Sequence, residues 1–190
     1  MEQISLRRVF PGNFTRRSHW AVDRAKNFGY ALRQHDYIYA RAVKDEEEIE
    51  SLCEIGSDIG RSTAWFSEIA QTIDVYEQGA FWIDICKTQC YNQQKAYGRI
   101  RNVNWYDTGS ISITEVLKTL PKQYHAIKLA TTDVIDYVPL LMDKLLPKGR
   151  LFIHEEGTQN SKNRLVKMLQ DEYNMCINRA DIDLFVAKHK

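Results

Sequence analysis

From about residue 49 onward, short apolar runs alternate with longer amphipathic ones, and the last two runs are separated by no more than a turn. IESLCEI (49–55) is followed by GRSTAWFSEIAQ, TIDVYE and FWIDICKTQCYNQQKAYG; RIRNVNWYD, ITEVLKTL and HAIKLATT come next. Strand then helix, repeated, is the pattern of a parallel sheet covered on both faces, an α/β fold. In DVIDYVPLLMDKLLPKG, Val134, Val138, Leu141, Met142 and Leu145 recur at helical spacing, and Pro147 with Gly149 predicts the stop. Pro139 is tolerated if this helix begins near Asp136, in its first turn; otherwise the helix kinks. RLFIHEE (150–156) is the predicted fifth strand and SKNRLVKMLQDEY the last helix. NMCINRA and DLFVAKH are then joined by Asp181-Ile182 at most, which predicts a hairpin, so the final strand must run against its predecessor.

At 190 residues the chain has the length of one domain and buries a full core without staples. No stretch approaches the roughly 20 apolar residues of a membrane helix, and MEQISLRRVFPGNF lacks the apolar core of a secretion signal, so a soluble, cytoplasmic protein is expected. Cys53, Cys86, Cys90 and Cys176 match neither a disulfide framework nor a paired zinc spacing. Cys86 and Cys90 stand one helical turn apart, but two further ligands are missing, and no metal is expected.

The net charge of +1 conceals an asymmetry. Residues 1–44 carry nine Lys or Arg against three acids, and DEEEIE follows at 45–50. Within residues 1–48, Phe10, Phe14, Trp20, Phe28, Tyr30, Tyr37 and Tyr39 interleave with the basic residues. Such a segment suits an anionic or aromatic partner by charge and stacking; it equally suits a cap helix anchored on the sheet by its aromatics. His19 and His35 are further base candidates there.

The densest chemistry lies where the first strand ends, in Glu54-Ile-Gly56-Ser57-Asp58-Ile-Gly60. Glycines at a strand end let the backbone turn sharply and bring its amides to a ligand at the next helix's N-terminus. A dinucleotide loop reads G-x-G-x-x-G; here Asp58 stands in the middle and would repel a diphosphate. Glu54 and Asp58 instead suit a ligand carrying positive charge.

Glu54 to Thr63, E-I-G-S-D-I-G-R-S-T, resembles motif I of the class I S-adenosylmethionine-dependent methyltransferases, in the branch reading E-I-G-S-x-x-G-x-S-T, and the order of elements over about 49–190 follows that family. The resemblance implies a Rossmann-like fold whose mostly parallel seven-stranded sheet ends in an antiparallel hairpin. It implies S-adenosylmethionine as cofactor, held by Glu54, Gly56, Ser57, Asp58 and Gly60, with Ser62 and Thr63 secondary. Glu77, at the next strand tip, is placed for the ribose hydroxyls, whereas Asp74 points to the opposite face. Tyr106, Asp107 and Thr108 are implied as a wall around the adenine, although Asp107 also fits a plain Asx turn. LLPKGRLFIHEE resembles the family's turn and fifth strand, with Arg150 replacing a second glycine, and residues 1–48 are implied as a cap that helps choose the substrate.

The fourth strand ends Leu129-Ala130-Thr131-Thr132-Asp133 where the small-molecule O-methyltransferase branch carries an acid-rich, D-G-D-H-like segment. One acid does not make a site for a hard cation. His154, on the same strand face as Phe152, is the candidate general base, and Asp133, the one acid at the end of the fourth strand, is a second catalytic candidate; a histidine merely hydrogen-bonded at a strand end is the competing reading for His154. The lysine-aspartate-lysine-glutamate set of ribose 2′-O-methyltransferases is incomplete, with Lys44 and Asp133 its only counterparts, and the asparagine-proline-proline-tyrosine motif of amino-directed enzymes is absent. The expected function is methyl transfer to a small-molecule hydroxyl or similar nucleophile. A catalytically silent subunit that keeps the fold and an RNA methyltransferase are the alternatives.

Overall fold

A computed structural model describes residues 39, 41–43, 46–57, 60–84, 86–88, 102–179 and 183–189. Seven strands form one sheet: β1 (Ile49–Ile55), β2 (Ala70–Glu77), β3 (Asn102–Asp107), β4 (Tyr124–Thr131), β5 (Leu145–Glu155), β6 (Met175–Arg179) and β7 (Leu184–His189). Their spatial order is β3-β2-β1-β4-β5-β7-β6. The first five strands pair in parallel, and β7 runs antiparallel to both β5 and β6. This is the mostly parallel sheet with a reversed terminal hairpin that the run pattern predicts. Residues 180–182 of the hairpin lie outside the described residues.

The central strands are apolar on both faces because both are covered. On one face Leu52, Ile73, Ala126, Phe152 and Val186 pack with Trp65 and Phe66. The latter two belong to α1 (Arg61–Phe66). On the other, Cys53, Ile127, Leu151 and Ile153 meet residues of α2 (Ile113–Thr119), α3 (Val138–Asp143) and α4 (Gln159–Asp171), among them Leu117, Leu141 and Leu165. Each such fully buried side chain contributes about 1.5–3 kcal/mol through removal from water. Residues 80–84 and 86–88 are helical, and none of the helices of the described residues is long and apolar enough to cross a membrane.

Two expected boundaries move. The helix after the glycine loop ends at Phe66 rather than running to Gln71, and Ala70 already belongs to β2. The long helix before β5 stops at Asp143, preceded by a 3-10 turn over Val134–Tyr137, and Pro139 sits in its first turn. Leu145 is already paired with Tyr124, and the register then jumps so that Ala126 faces Arg150. Pro147-Lys148-Gly149 therefore marks an outward bulge within β5, with Lys148 at φ 63°, and not a helix stop.

Asp74 points away from the glycine loop, as alternation requires. Its carboxylate accepts hydrogen bonds from Asn104 Nδ2 at 2.7 Å and Tyr124 Oη at 2.8 Å, and pairs with Lys122 at 3.1 Å. Burial alone would raise its pKa, but Asn104, Tyr124 and Lys122 together hold it below the ordinary carboxylate value. A depressed folded-state pKa stabilises above the unfolded value and ceases to do so as pH falls through the folded one. In Asp74→Asn the acid-side loss of stability below about pH 4 should flatten relative to wild type, as read by urea unfolding across pH.

Candidate functional site

The carboxyl ends of β1, β2 and β4 bring the glycine loop, Glu77 and Lys128 together. Ile55 is level with Tyr76, so the chain leaves β1 beside the tip of β2, and Gly56 N donates to Tyr76 O at 3.0 Å. Gly56 then turns at φ 75°, a left-handed conformation that glycine adopts without strain. A Cβ at this position would stand 3.3 Å from the Ala130 carbonyl oxygen. Gly60 turns likewise at φ 74°, where a Cβ would lie 3.1 Å from Cys86 Cα, so the helical residues 86–88 pack on the loop's far end. Asp58 lies outside the described residues.

Glu77 grips this loop. Its Oε2 accepts from Ser57 N at 2.6 Å and Ser57 Oγ at 3.0 Å, and its Oε1 accepts from Gln78 N at 2.8 Å. Ser57 Oγ also lies 3.3 Å from Cys86 Sγ. Glu77 is thus at the loop, where the sequence places it, with a carboxylate already organised by backbone amides.

Glu54 sits beneath the loop, fully buried. It accepts from Ser62 Oγ and, at 2.6 Å, from Thr63 Oγ1, tying β1 to the first turn of α1. Its counter-charge is Lys128, level with it on β4, whose Nζ is 3.3 Å from Glu54 Oε1 and also donates to the Gly56 carbonyl. The sequence reading did not single out Lys128. Its signal was there: a lysine in the apolar middle of the strand, between Ala126-Ile127 and Leu129-Ala130.

Asp107, level with Glu77 on the next strand, accepts from Gly79 N at 2.9 Å and Gly109 N at 2.8 Å. The Gly109 and Gly79 amides hold its carboxyl below the usual range. It forms the Asx turn and also ties the loop after β2 to the loop after β3. Thr108 continues this link, its N donating to Glu77 O at 3.0 Å. Tyr106 faces the other way and stacks on Tyr76, ring centroids 4.7 Å apart.

His154 is buried on the face of Glu54 and Lys128, with its Nδ1 3.4 Å from the Tyr39 hydroxyl. Tyr39 also meets Phe66 edge to face, and burial raises its pKa. Of the aromatic N-terminal set only Tyr39 is described; Phe10, Phe14, Trp20, Phe28, Tyr30, Tyr37, His19, His35 and Lys44 lie outside the described residues. Asp133 is exposed at the end of β4, in a left-handed turn at φ 54°. Its main chain is tied to β5: the Glu155 carboxylate accepts from Asp133 N at 3.1 Å, Val134 N at 2.7 Å and Gly157 N at 2.6 Å. His154 and Asp133 thus stand on neighbouring strand ends but engage different partners. No cluster of metal-ligating side chains occurs among the described residues.

No family model matches this sequence, and no curated protein does. Solved structures do. An O-methyltransferase from Bacillus cereus in complex with SAH superimposes with a TM-score of 0.61 at 13% identity, over 97% of this chain and 95% of that one. The N-methyltransferase NodS from Bradyrhizobium japonicum WM9, in complex with S-adenosyl-l-homocysteine, gives 0.55 at 13%, over 82% and 84%. An rRNA methylase from Streptococcus thermophilus gives 0.52 at 12%, over 82% and 94%. With its strand order, reversed last strand and glycine turn after β1, this chain has the Rossmann-like fold of the class I methyltransferases.

Proposed function

We propose that the protein binds S-adenosylmethionine at the loop after β1 and transfers its methyl group to a small-molecule hydroxyl or similar nucleophile. The observation that carries this reading is the Gly56 turn with the Glu77 carboxylate beside it, on a fold shared with proteins solved with S-adenosyl-l-homocysteine. The residues fit such a ligand: the Gly56 and Gly60 turns close tightly against Ala130 and Cys86 beside the strand ends, and Glu77 offers an acid for hydroxyl groups. Asp107 and Thr108 fix the neighbouring loop.

The bound cofactor supplies an already activated methyl group. What remains for the protein is to bind, align the acceptor and exclude water. His154 is the proposed base on the acceptor side, held against Tyr39. Asp133 borders the same rim, positioned through its main chain by Glu155.

Glu77→Ala is the direct probe of the cradle. Removing a charged hydrogen-bond acceptor should weaken S-adenosylhomocysteine binding by about 10- to 100-fold in titration calorimetry. Unchanged affinity in the folded variant would place the ligand elsewhere.

One observation favours a second reading, a catalytically silent subunit of the same fold. The β4 rim carries a single acid, and the backbone around it is clamped to β5. Labelled-methyl transfer across an acceptor panel separates the two, because a silent member transfers nothing, and failure to bind the donor would favour it further. Methylation of RNA, with binding that falls steeply as salt rises, would reassign the acceptor to a nucleic acid.

A further inference from the structure

Arg150 stands where the sequence resemblance expects a second glycine, and a glycine could make none of the contacts that its guanidinium makes. Alternation along β5 places Arg150, Phe152 and His154 in a row on one face, level with Lys188, Val186 and Leu184 of β7. The segment that leads into β1 lies along this row. At its head the Tyr39 hydroxyl is 3.4 Å from His154 Nδ1, with the two rings edge to face. Ala42 and Val43 are buried in the apolar cluster that holds Phe152, Val186 and Leu184. At its foot the Glu46 carboxylate, 6% exposed, takes one cation on each oxygen: Arg150 Nη1 on Oε2 and Lys188 Nζ on Oε1, both at 2.6 Å. Arg150 Nη1 also donates to the Glu47 carbonyl at 3.3 Å, and Glu46 N donates to the Val43 carbonyl at 3.2 Å, which joins this clamp to the helical residues 41–43.

Apolar contacts alone would let this segment slide along β5, because they are non-directional. The contact at its head tolerates little sliding, since 3.4 Å is already near the limit of a hydrogen bond. Two cations converging on one buried carboxylate fix the segment lengthwise. We propose that Arg150 and Lys188, acting through Glu46, are positioning residues for His154: they pin the foot of the segment so that Tyr39 meets the imidazole at its head. The proposal rests on the reading of His154 as the base on the acceptor side. Arg150 lies about 13 Å from His154 at the rise of a strand, so its effect on the imidazole travels through the segment.

The test is the ring-nitrogen NMR spectrum of the full chain carrying isotope-labelled histidine, with the His154 signals identified by their loss in His154→Gln. Tyr39→Phe removes the hydroxyl and should move the His154 Nδ1 signal. Arg150→Met should move it in the same direction, although the substitution touches neither ring. Lys188→Met should do so by less, because Lys188 is the more exposed of the two cations, and it carries the test alone if Arg150→Met fails to fold. Arg150→Lys keeps a cation for Glu46 and should retain most of the wild-type signal. A clamp that only stabilises the fold would lower the urea midpoint and leave the His154 signal in place; that result in folded Arg150→Met, or in folded Lys188→Met if the first does not fold, overturns the proposal. Methyl transfer by His154→Gln at the wild-type rate would overturn the base reading and with it the catalytic meaning of the clamp, a failure read without any clamp variant.

Discussion

Lys128→Met is expected to destabilise the fold by about 3–5 kcal/mol, because it leaves a buried carboxylate without its counter-charge. Glu54 keeps two hydroxyl donors, Ser62 and Thr63, which places the expected loss toward the lower end of that range. The Gly56 carbonyl also loses a donor, so the loop loosens together with the core. Glu54→Gln in the Lys128→Met background removes the orphaned charge and should recover most of the loss, leaving the double variant within about 1.5 kcal/mol of wild type. Urea unfolding of the four proteins closes this cycle. Additive losses would mean that the two charges do not act as a pair in solution.

The second large effect is expected at Glu155, whose buried carboxylate joins the rims of β4 and β5 by accepting three backbone N–H groups. Glu155→Ala strands these donors. Asp133 is exposed and Gly157 half-buried, so water can replace the carboxylate there, whereas Val134 is buried and its amide is left unpaired. A loss of about 2–4 kcal/mol follows, from charge-assisted bonds partly recovered by solvent. Glu155→Gln should lose roughly half as much, since one acceptor oxygen survives and the amide nitrogen faces an N–H group. Denaturation midpoints measure both. A Glu155→Ala variant as stable as wild type would show that the two loops hold themselves.

The sheet was legible because its central strands are apolar on both faces, and IESLCEI, HAIKLATT and RLFIHEE stand out against amphipathic neighbours. The hairpin followed from connector length alone. The start of β5 was not legible, since Pro147-Lys148-Gly149 signals a break without saying whether it ends a helix or bulges from a strand; pairing of Leu145 with Tyr124 across the sheet decides that.

The candidate site was legible to the extent that it follows the main chain. Gly56, Gly60 and Glu77 fall where strand ends and turn chemistry put them. Glu54 carries a different weight in the fold than its charge suggests in sequence, because its compensating partner lies 74 residues away on β4. The same holds for Glu155, which reads as one of two surface acids at a strand tip, yet folding buries it against amides of another loop. Side-chain pairing across strands distant in sequence leaves no local periodicity to read.

The central claim is that the turn at Gly56 is an S-adenosyl cradle, and calorimetric titration of S-adenosylhomocysteine into wild type and Gly56→Arg tests it most directly. The arginine puts a Cβ 3.3 Å from the Ala130 carbonyl oxygen and a non-glycine residue at φ 75° in the turn, a strain of about 1–2 kcal/mol that the fold should survive. Saturable binding by wild type, lost in a folded Gly56→Arg protein, is the predicted result. Absence of binding by folded wild type, or equal binding by both, would contradict it.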